Sequence, residues 1–74
     1  MAPDISPLGR RVGQRIRKAR LERDLTQEDV AFKVGISASY LGQLERGGRG
    51  LTLEKLVKIA RALKVDPSEL TKGI

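Results

Sequence analysis

Apolar residues recur along the chain at spacings of three and four, and the recurrences are bracketed by the residues that start and stop helices. Val12, Ile16 and Ala19 form one stripe, Val30 and Val34 a second, and Leu41 and Leu44 a third. Leu53, Leu56, Val57, Ala60 and Leu63 make a broader apolar face farther on. The starts are marked by oxygen-bearing residues. Thr26, Ser37, Thr52 and Asp66 each precede a helical run, flanked by the apolar pairs Leu25/Val30, Ile36/Leu41, Leu51/Leu56 and Val65/Leu70. The oxygen accepts a free first-turn amide, and the apolar pair staples the incoming chain to the helix. Thr26/Asp29 and Asp66/Glu69 also have the spacing of capping boxes, and Pro67 takes the first helical position, where its missing N–H costs nothing. Gly35 and Gly47 stand where left-handed C-terminal caps belong. With Ser6-Pro7 opening the first segment, the pattern predicts helices near 7–23, 27–34, 38–46, 53–64 and 67–72. No segment alternates as a strand does, so the predicted fold is all-α. A flexible lead over 1–6 precedes one domain over 7–74.

The second and third helices are separated only by Gly35, Ile36 and Ser37. Two short helices joined by so tight a turn make a helix-turn-helix, here over about 26–46. Ala31 is small where the two should cross, and Val30, Val34, Leu41 and Leu44 can bury against helices one and four. Periodicity sets Phe32 opposite Val30 and Val34, hence in solvent.

Composition narrows the picture. At 74 residues the chain holds one small domain, and chains of this size bury only about 60% of their surface. Its core is drawn from ten Leu, five Ile and five Val. With no Cys and no His, a disulfide scaffold, a Cys/His zinc site and nucleophile–histidine catalysis are excluded. The carboxylates Glu28, Asp29 and Glu54 are accounted for by helix N-termini, so no enzyme, cofactor or small-molecule ligand is expected. No apolar run has the length to cross a membrane, and the first residues lack the segments of a signal peptide, so a cytoplasmic protein is expected. The net charge of +6 is concentrated. Residues 10–23 hold Arg10, Arg11, Arg15, Arg17, Lys18, Arg20 and Arg23 against Glu22 alone, and the rest of the chain balances. Such a stretch fits a polyanion partner; it fits a solvated helix equally well.

Taken together, Ile16-Arg17-Lys18-Ala19-Arg20, Leu25-Thr26-Gln27-Glu28-Asp29-Val30-Ala31, Val34-Gly35-Ile36-Ser37, Tyr40-Leu41, Leu44-Glu45-Arg46-Gly47 and Ile59-Ala60-Arg61-Ala62-Leu63 resemble the Cro/repressor-type (XRE) helix-turn-helix family. The resemblance covers roughly residues 10–70. It implies a five-helix, lambda-repressor-like domain that binds double-stranded DNA sequence-specifically, as a homodimer on a palindromic or repeated site. Short members include phage repressors and restriction–modification controllers, and the run from Glu45 to Leu53 is similar to the latter.

On this footing helix three lies in the major groove, with Ala38, Ser39, Gly42, Gln43 and Arg46 outward. Gln43 is the leading base reader, because a carboxamide pairs two ways with adenine; its alternative is an ordinary solvated residue. Ser37 and Ser39 can each make a single hydrogen bond, Ser37 sharing that with its cap, and Ala38 can touch a thymine methyl. Gly42 withholds a side chain, so DNA shape is expected to carry much of the specificity. The resemblance makes Gln27, at the N-terminus of helix two, a phosphate contact, with Tyr40 and Arg46. Charge adds Arg49, in a loop whose Gly47, Gly48 and Gly50 let the backbone approach the strand, and Arg15, Arg17 and Lys18 from helix one. The resemblance also implies a partly buried ion pair between Arg20 and Glu45, taking Arg20 out of the basic patch. The reading is a transcriptional regulator, a repressor or autoregulatory controller. The alternative is a protein-interaction module or antitoxin-type partner of the same fold, supported by Phe32 and the apolar tail from Leu70 to Ile74.

Overall fold

The computed structural model of the chain describes residues 7–47 and 50–73, which form five helices. These are α1 (Pro7–Glu22), α2 (Gln27–Val34), α3 (Ala38–Gly47), α4 (Leu53–Leu63) and α5 (Pro67–Thr71). Among the described residues there is no strand. The lead over 1–6, Gly48, Arg49 and Ile74 lie outside the described residues.

The starts are capped by side chains. Thr26 Oγ1 accepts the Asp29 N–H at 3.0 Å, and the Asp29 carboxylate accepts the Thr26 N–H at 2.8 Å, a complete capping box. Ser37 Oγ accepts from Tyr40 N–H at 3.0 Å and Thr52 Oγ1 from Lys55 N–H at 3.1 Å. Asp66 differs from the expected box: its carboxylate takes the Ser68 N–H at 2.9 Å, while the Glu69 N–H turns to the Asp66 carbonyl.

The stops correct the sequence reading. Gly35 ends α2 in the left-handed region, φ 86°, where a side chain would be strained. Gly47 is no such cap; it is the buried last residue of α3. Two ends without a glycine use the same geometry instead. Asp24 after α1 and Lys64 after α4 have φ 54° and 58°. There Leu25 N–H returns to the Arg20 carbonyl and Val65 N–H to that of Ala60, satisfying carbonyls that the helix leaves open. These residues close α1 and α4 one position earlier than expected.

Every helix contributes to one core: Val12, Ile16 and Ala19 from α1, Val30 and Ala31 from α2, Leu41 and Leu44 from α3, Leu56, Ile59, Ala60 and Leu63 from α4, and Leu70 from α5. Leu53, expected in the α4 face, is 77% exposed in that helix's first turn; fully buried Ile59 completes the stripe instead. Phe32 projects into solvent as expected, 88% exposed. The closest approach is between α1 and α3. A Cβ built on Gly13 would overlap the Leu44 carbonyl oxygen and stand 2.6 Å from that of Glu45, so only glycine admits this backbone contact.

Beside that crossing, Arg20 and Glu45 are 7% and 4% exposed. Arg20 Nε donates to Glu45 Oε2 at 2.7 Å and Nη2 to Oε1 at 3.0 Å, a two-pronged pairing that lysine cannot reproduce. Arg20 Nη1 donates to the Leu25 carbonyl at 2.9 Å, tying the α1–α2 connection to the same guanidinium. The hydrogen bonds it donates to Glu45 raise the Arg20 pKa against the opposing effect of burial, and the carboxylate's charge adds to the rise.

Removing either partner strands a desolvated charge. Arg20→Ala or Glu45→Ala is expected to lower unfolding free energy by about 3–5 kcal/mol in urea titrations, a large share of a small domain's stability. Arg17→Ala, exposed on the same helix, should stay within about 0.5 kcal/mol. The caps make a separate prediction for acid. Hydrogen bonds from Thr26 hold the Asp29 carboxyl below the ordinary 3.8, and those from Ser68 do the same for Asp66. The unfolded chain therefore takes up protons first as pH falls, so stability is full above pH 3.8 and declines as pH falls through the two folded-state values. Urea midpoints from pH 6 to pH 2 should show that decline, and Asp29→Asn with Asp66→Asn should flatten it.

Candidate nucleic-acid interface

With Leu41 and Leu44 turned into the core, helical geometry leaves Ser39, Gln43 and Arg46 outside, and all three are exposed. Ser37 is exposed at the head of α3, with its oxygen engaged as the cap. Two residues expected on the outward face are elsewhere. Ala38 is half-buried against the core, and Gly42 is buried.

Gly42 is covered by polar groups from two helices. Gln27 starts α2, and its side chain reaches across to α3, where Nε2 donates to Glu45 Oε1 at 3.1 Å. The Gln27 carboxamide and the Arg46 guanidinium both lie over Gly42. The helix-turn-helix is thus locked by a polar contact as well as by its core. Gln27, Ser39, Gln43 and Arg46 are brought together.

Tyr40 turns toward the segment entering α4. Its hydroxyl donates to the Gly50 carbonyl at 2.9 Å and accepts from Lys55 Nζ at 2.8 Å, with that ammonium 4.7 Å from the ring centre. The expected phosphate contact therefore spends its one O–H on the segment entering α4. The cation beside it, Lys55, is the group free to meet an anion there, since an ammonium has three donors. Sequence reasoning missed Lys55. The signal was present: a lysine in the first turn of α4, where the positive end of the helix dipole disfavours it. Arg49 lies outside the described residues.

Half of the basic stretch of α1 faces away from α3. Gly13 marks the side of α1 that meets α3, and Arg11, Arg15 and Lys18 fall about 140–200° around the helix from it. Arg15 and Lys18 line a groove of about 720 Å³ with Lys64, Val65, Leu70 and Lys72, and Arg11 Nη2 lies 3.5 Å from the Gly73 carbonyl. Arg23 folds back onto the Ala19 carbonyl, and Arg20 is buried. Of the α1 bases expected at phosphate, Arg15 and Lys18 are separated from Gln43, while Arg17 is exposed beside Gln14 and Leu21.

Comparison with known proteins decides the family. The helix-turn-helix family model matches residues 16–70, most of the chain. The chain belongs to the helix-turn-helix family. The domain is of the XRE type. Control protein C.BamHI of Bacillus amyloliquefaciens is 37% identical over 59 residues, 78% of this chain and 73% of that protein. The immunity repressor of Bacillus phage phi105 is 42% identical over 59 residues, 80% of this chain but 41% of that longer protein. The crystal structure of the restriction–modification controller C.AhdI from Aeromonas hydrophila superposes with a TM-score of 0.78 at 43% identity, covering 82% of this chain and 92% of that one. As a helix-turn-helix protein the chain is a DNA-binding transcriptional regulator, not an enzyme. No helix among the described residues is long and apolar enough to cross a membrane.

The Tyr40 contacts can be weighed directly. Tyr40→Phe removes the bond to Gly50 and the acceptor for Lys55, and should cost about 0.5–1.5 kcal/mol in urea unfolding. An unchanged midpoint would mean that the hydroxyl does not anchor the α4 entry.

Proposed function

We propose that this helix-turn-helix protein occupies an operator as a homodimer, inserting α3 into the major groove, and acts as a repressor or autoregulatory controller. The observation that carries the reading is the outward row of Ser39, Gln43 and Arg46 on α3, standing beside Gln27 from α2. A carboxamide at the centre of a groove-sized helix face suits adenine, and Ser39 adds one hydrogen bond beside it. Ser37 and half-buried Ala38 offer shorter reach to the same bases. Gln27 and Arg46 serve phosphate, and Lys55 beside Tyr40 extends the row of backbone contacts to the N-terminus of α4, with Arg49 a further contact. Arg15, Arg17 and Lys18 contribute chiefly through their long-range field, which speeds approach without choosing a site. With one long base-reading side chain, DNA shape supplies much of the remaining selectivity. The relatives' descriptions as control protein, controller and immunity repressor support an operator-bound regulator, and two-fold symmetry would follow from a palindromic or repeated site.

A second reading, a protein-interaction module or antitoxin-type partner, is favoured by Phe32, since a phenyl ring 88% exposed is a natural contact point for another protein. Salt separates the two. Operator binding should weaken steeply with salt, with a log–log slope of roughly −0.9 per phosphate neutralised. On duplexes recovered by selection from random sequence, Gln43→Ala should cost about 1–3 kcal/mol and relax preference at one or two base pairs. Lys55→Ala should weaken all duplexes alike and flatten the slope by about one. A flat salt response, or selection that recovers no motif, would sink the operator reading and leave the protein partner.

A further inference from the structure

Glycine in a helix interior costs more backbone freedom than alanine, so its presence in the middle of α3 needs a compensating use. Gly42 is buried, yet what covers it is polar. A Cβ built there would stand 3.3 Å from Gln27 Nε2, 3.6 Å from Gln27 Oε1 and 3.3 Å from Arg46 Nη1. Those distances are tight for one carbon, and a longer side chain would have to displace the Gln27 and Arg46 ends. At the floor of the same spot is Glu45, whose Oε1 accepts from Gln27 Nε2 at 3.1 Å and from Arg20 Nη2 at 3.0 Å. The carboxylate is itself fixed by its second bond to Arg20, 2.7 Å from Nε to Oε2. Gln27 is therefore held by a fixed acceptor, and a side chain at residue 42 would press on both the carboxamide and the guanidinium.

We propose that Gly42 is a positioning residue for DNA binding. Its missing side chain forms the seat in which Glu45 holds the Gln27 carboxamide, with the Arg46 guanidinium laid over the same backbone. Two phosphate-binding groups from different helices are thereby set side by side before DNA arrives. The assignment rests on the operator-binding reading above. Gln27 spends one N–H on Glu45 and keeps its second for a phosphate oxygen. Arg46 makes no hydrogen bond among the described residues, and so its donors are available to the next phosphate. Holding both groups in advance reduces the ordering cost of binding, about 0.5–1.5 kcal/mol for each immobilised side chain. The buried ion pair thus serves the interface at one remove, through a glycine.

The test uses the full chain with Gly42→Ala, Gly42→Leu, Gln27→Ala and the Gln27→Ala/Gly42→Leu double variant, on a duplex recovered by selection. Gly42→Leu should bind every duplex about fivefold to tenfold more weakly, and Gly42→Ala less so. Thermal midpoints should move little, since the helix propensity gained offsets the Gln27–Glu45 hydrogen bond lost. In the Gln27→Ala background Gly42→Leu should cost clearly less than it does alone, because the group it displaces is already gone. In the free protein, the Gln27 side-chain amide signals in a nitrogen–proton NMR spectrum should stand away from those of a solvated glutamine and move to them in Gly42→Leu. A wild-type chain that binds DNA while Gly42→Leu binds equally well, or an additive double variant, or unmoved Gln27 signals, would overturn the positioning role. A wild-type chain that binds no duplex overturns the operator reading, and the positioning role falls with it.

Discussion

A guanidinium and a carboxylate taken out of water are stable together only when their donors and acceptors find partners, and that condition organises this small protein. Arg20 and Glu45 satisfy it by reaching beyond each other. The guanidinium takes the Leu25 carbonyl from the α1–α2 connection, and the carboxylate collects Gln27 from the head of α2. One pair therefore determines how α1, α2 and α3 sit together. It can form only because Gly13 lets the backbones of α1 and α3 meet; with a Cβ there, α3 would stand off and the pair would open. The apolar core drives the association of the helices. The polar pair decides at which register they associate.

The same constraint shapes the proposed DNA-binding surface. In α3 the residues that face inward are Leu41, Leu44 and Glu45, so the outward row follows by helical geometry. Gln27 belongs to α2 in sequence and to the α3 surface in space. Tyr40 and Lys55 join that surface to α4, with a hydroxyl bonded between the Gly50 carbonyl and the ammonium. The recognition unit is in this way fastened on both flanks, by a buried ion pair on one side and a tyrosine on the other.

Part of the positive charge lies away from the proposed reading surface. Most of the excess positive charge is carried by α1, but Arg11, Arg15 and Lys18 point toward α5 rather than toward Gln43. A field from such a cluster still acts over a Debye length of about 8–10 Å in physiological salt, comparable with the width of a helix. In the proposed reading it steers the protein toward DNA without setting the sequence that is read. In that reading, selectivity rests on the Gln43 carboxamide and on DNA shape.

Five helices and most of their starts were legible in the sequence because each rests on local chemistry: an oxygen before a helix, an apolar pair around it, a stripe at helical spacing. The turn at Gly35 was legible for the same reason. What the sequence left open, or placed wrongly, depends on residues far apart in the chain. Gly13 and Gly42 read as ordinary glycines until α3 and Gln27 lie against them. Asp24 and Lys64 in the left-handed region, Gly47 inside α3, and the outward turn of Leu53 depend on where the neighbouring helices end. Arg20 was marked as structural only by family resemblance, since nothing local distinguishes it from the arginines around it. The sequence by itself therefore determined the helices, through periodicity and capping, which act over four residues; the class of partner came from its resemblance to a family. Tertiary structure alone decided which of its cations and amides share a surface, because that depends on the angle and closeness at which helices cross.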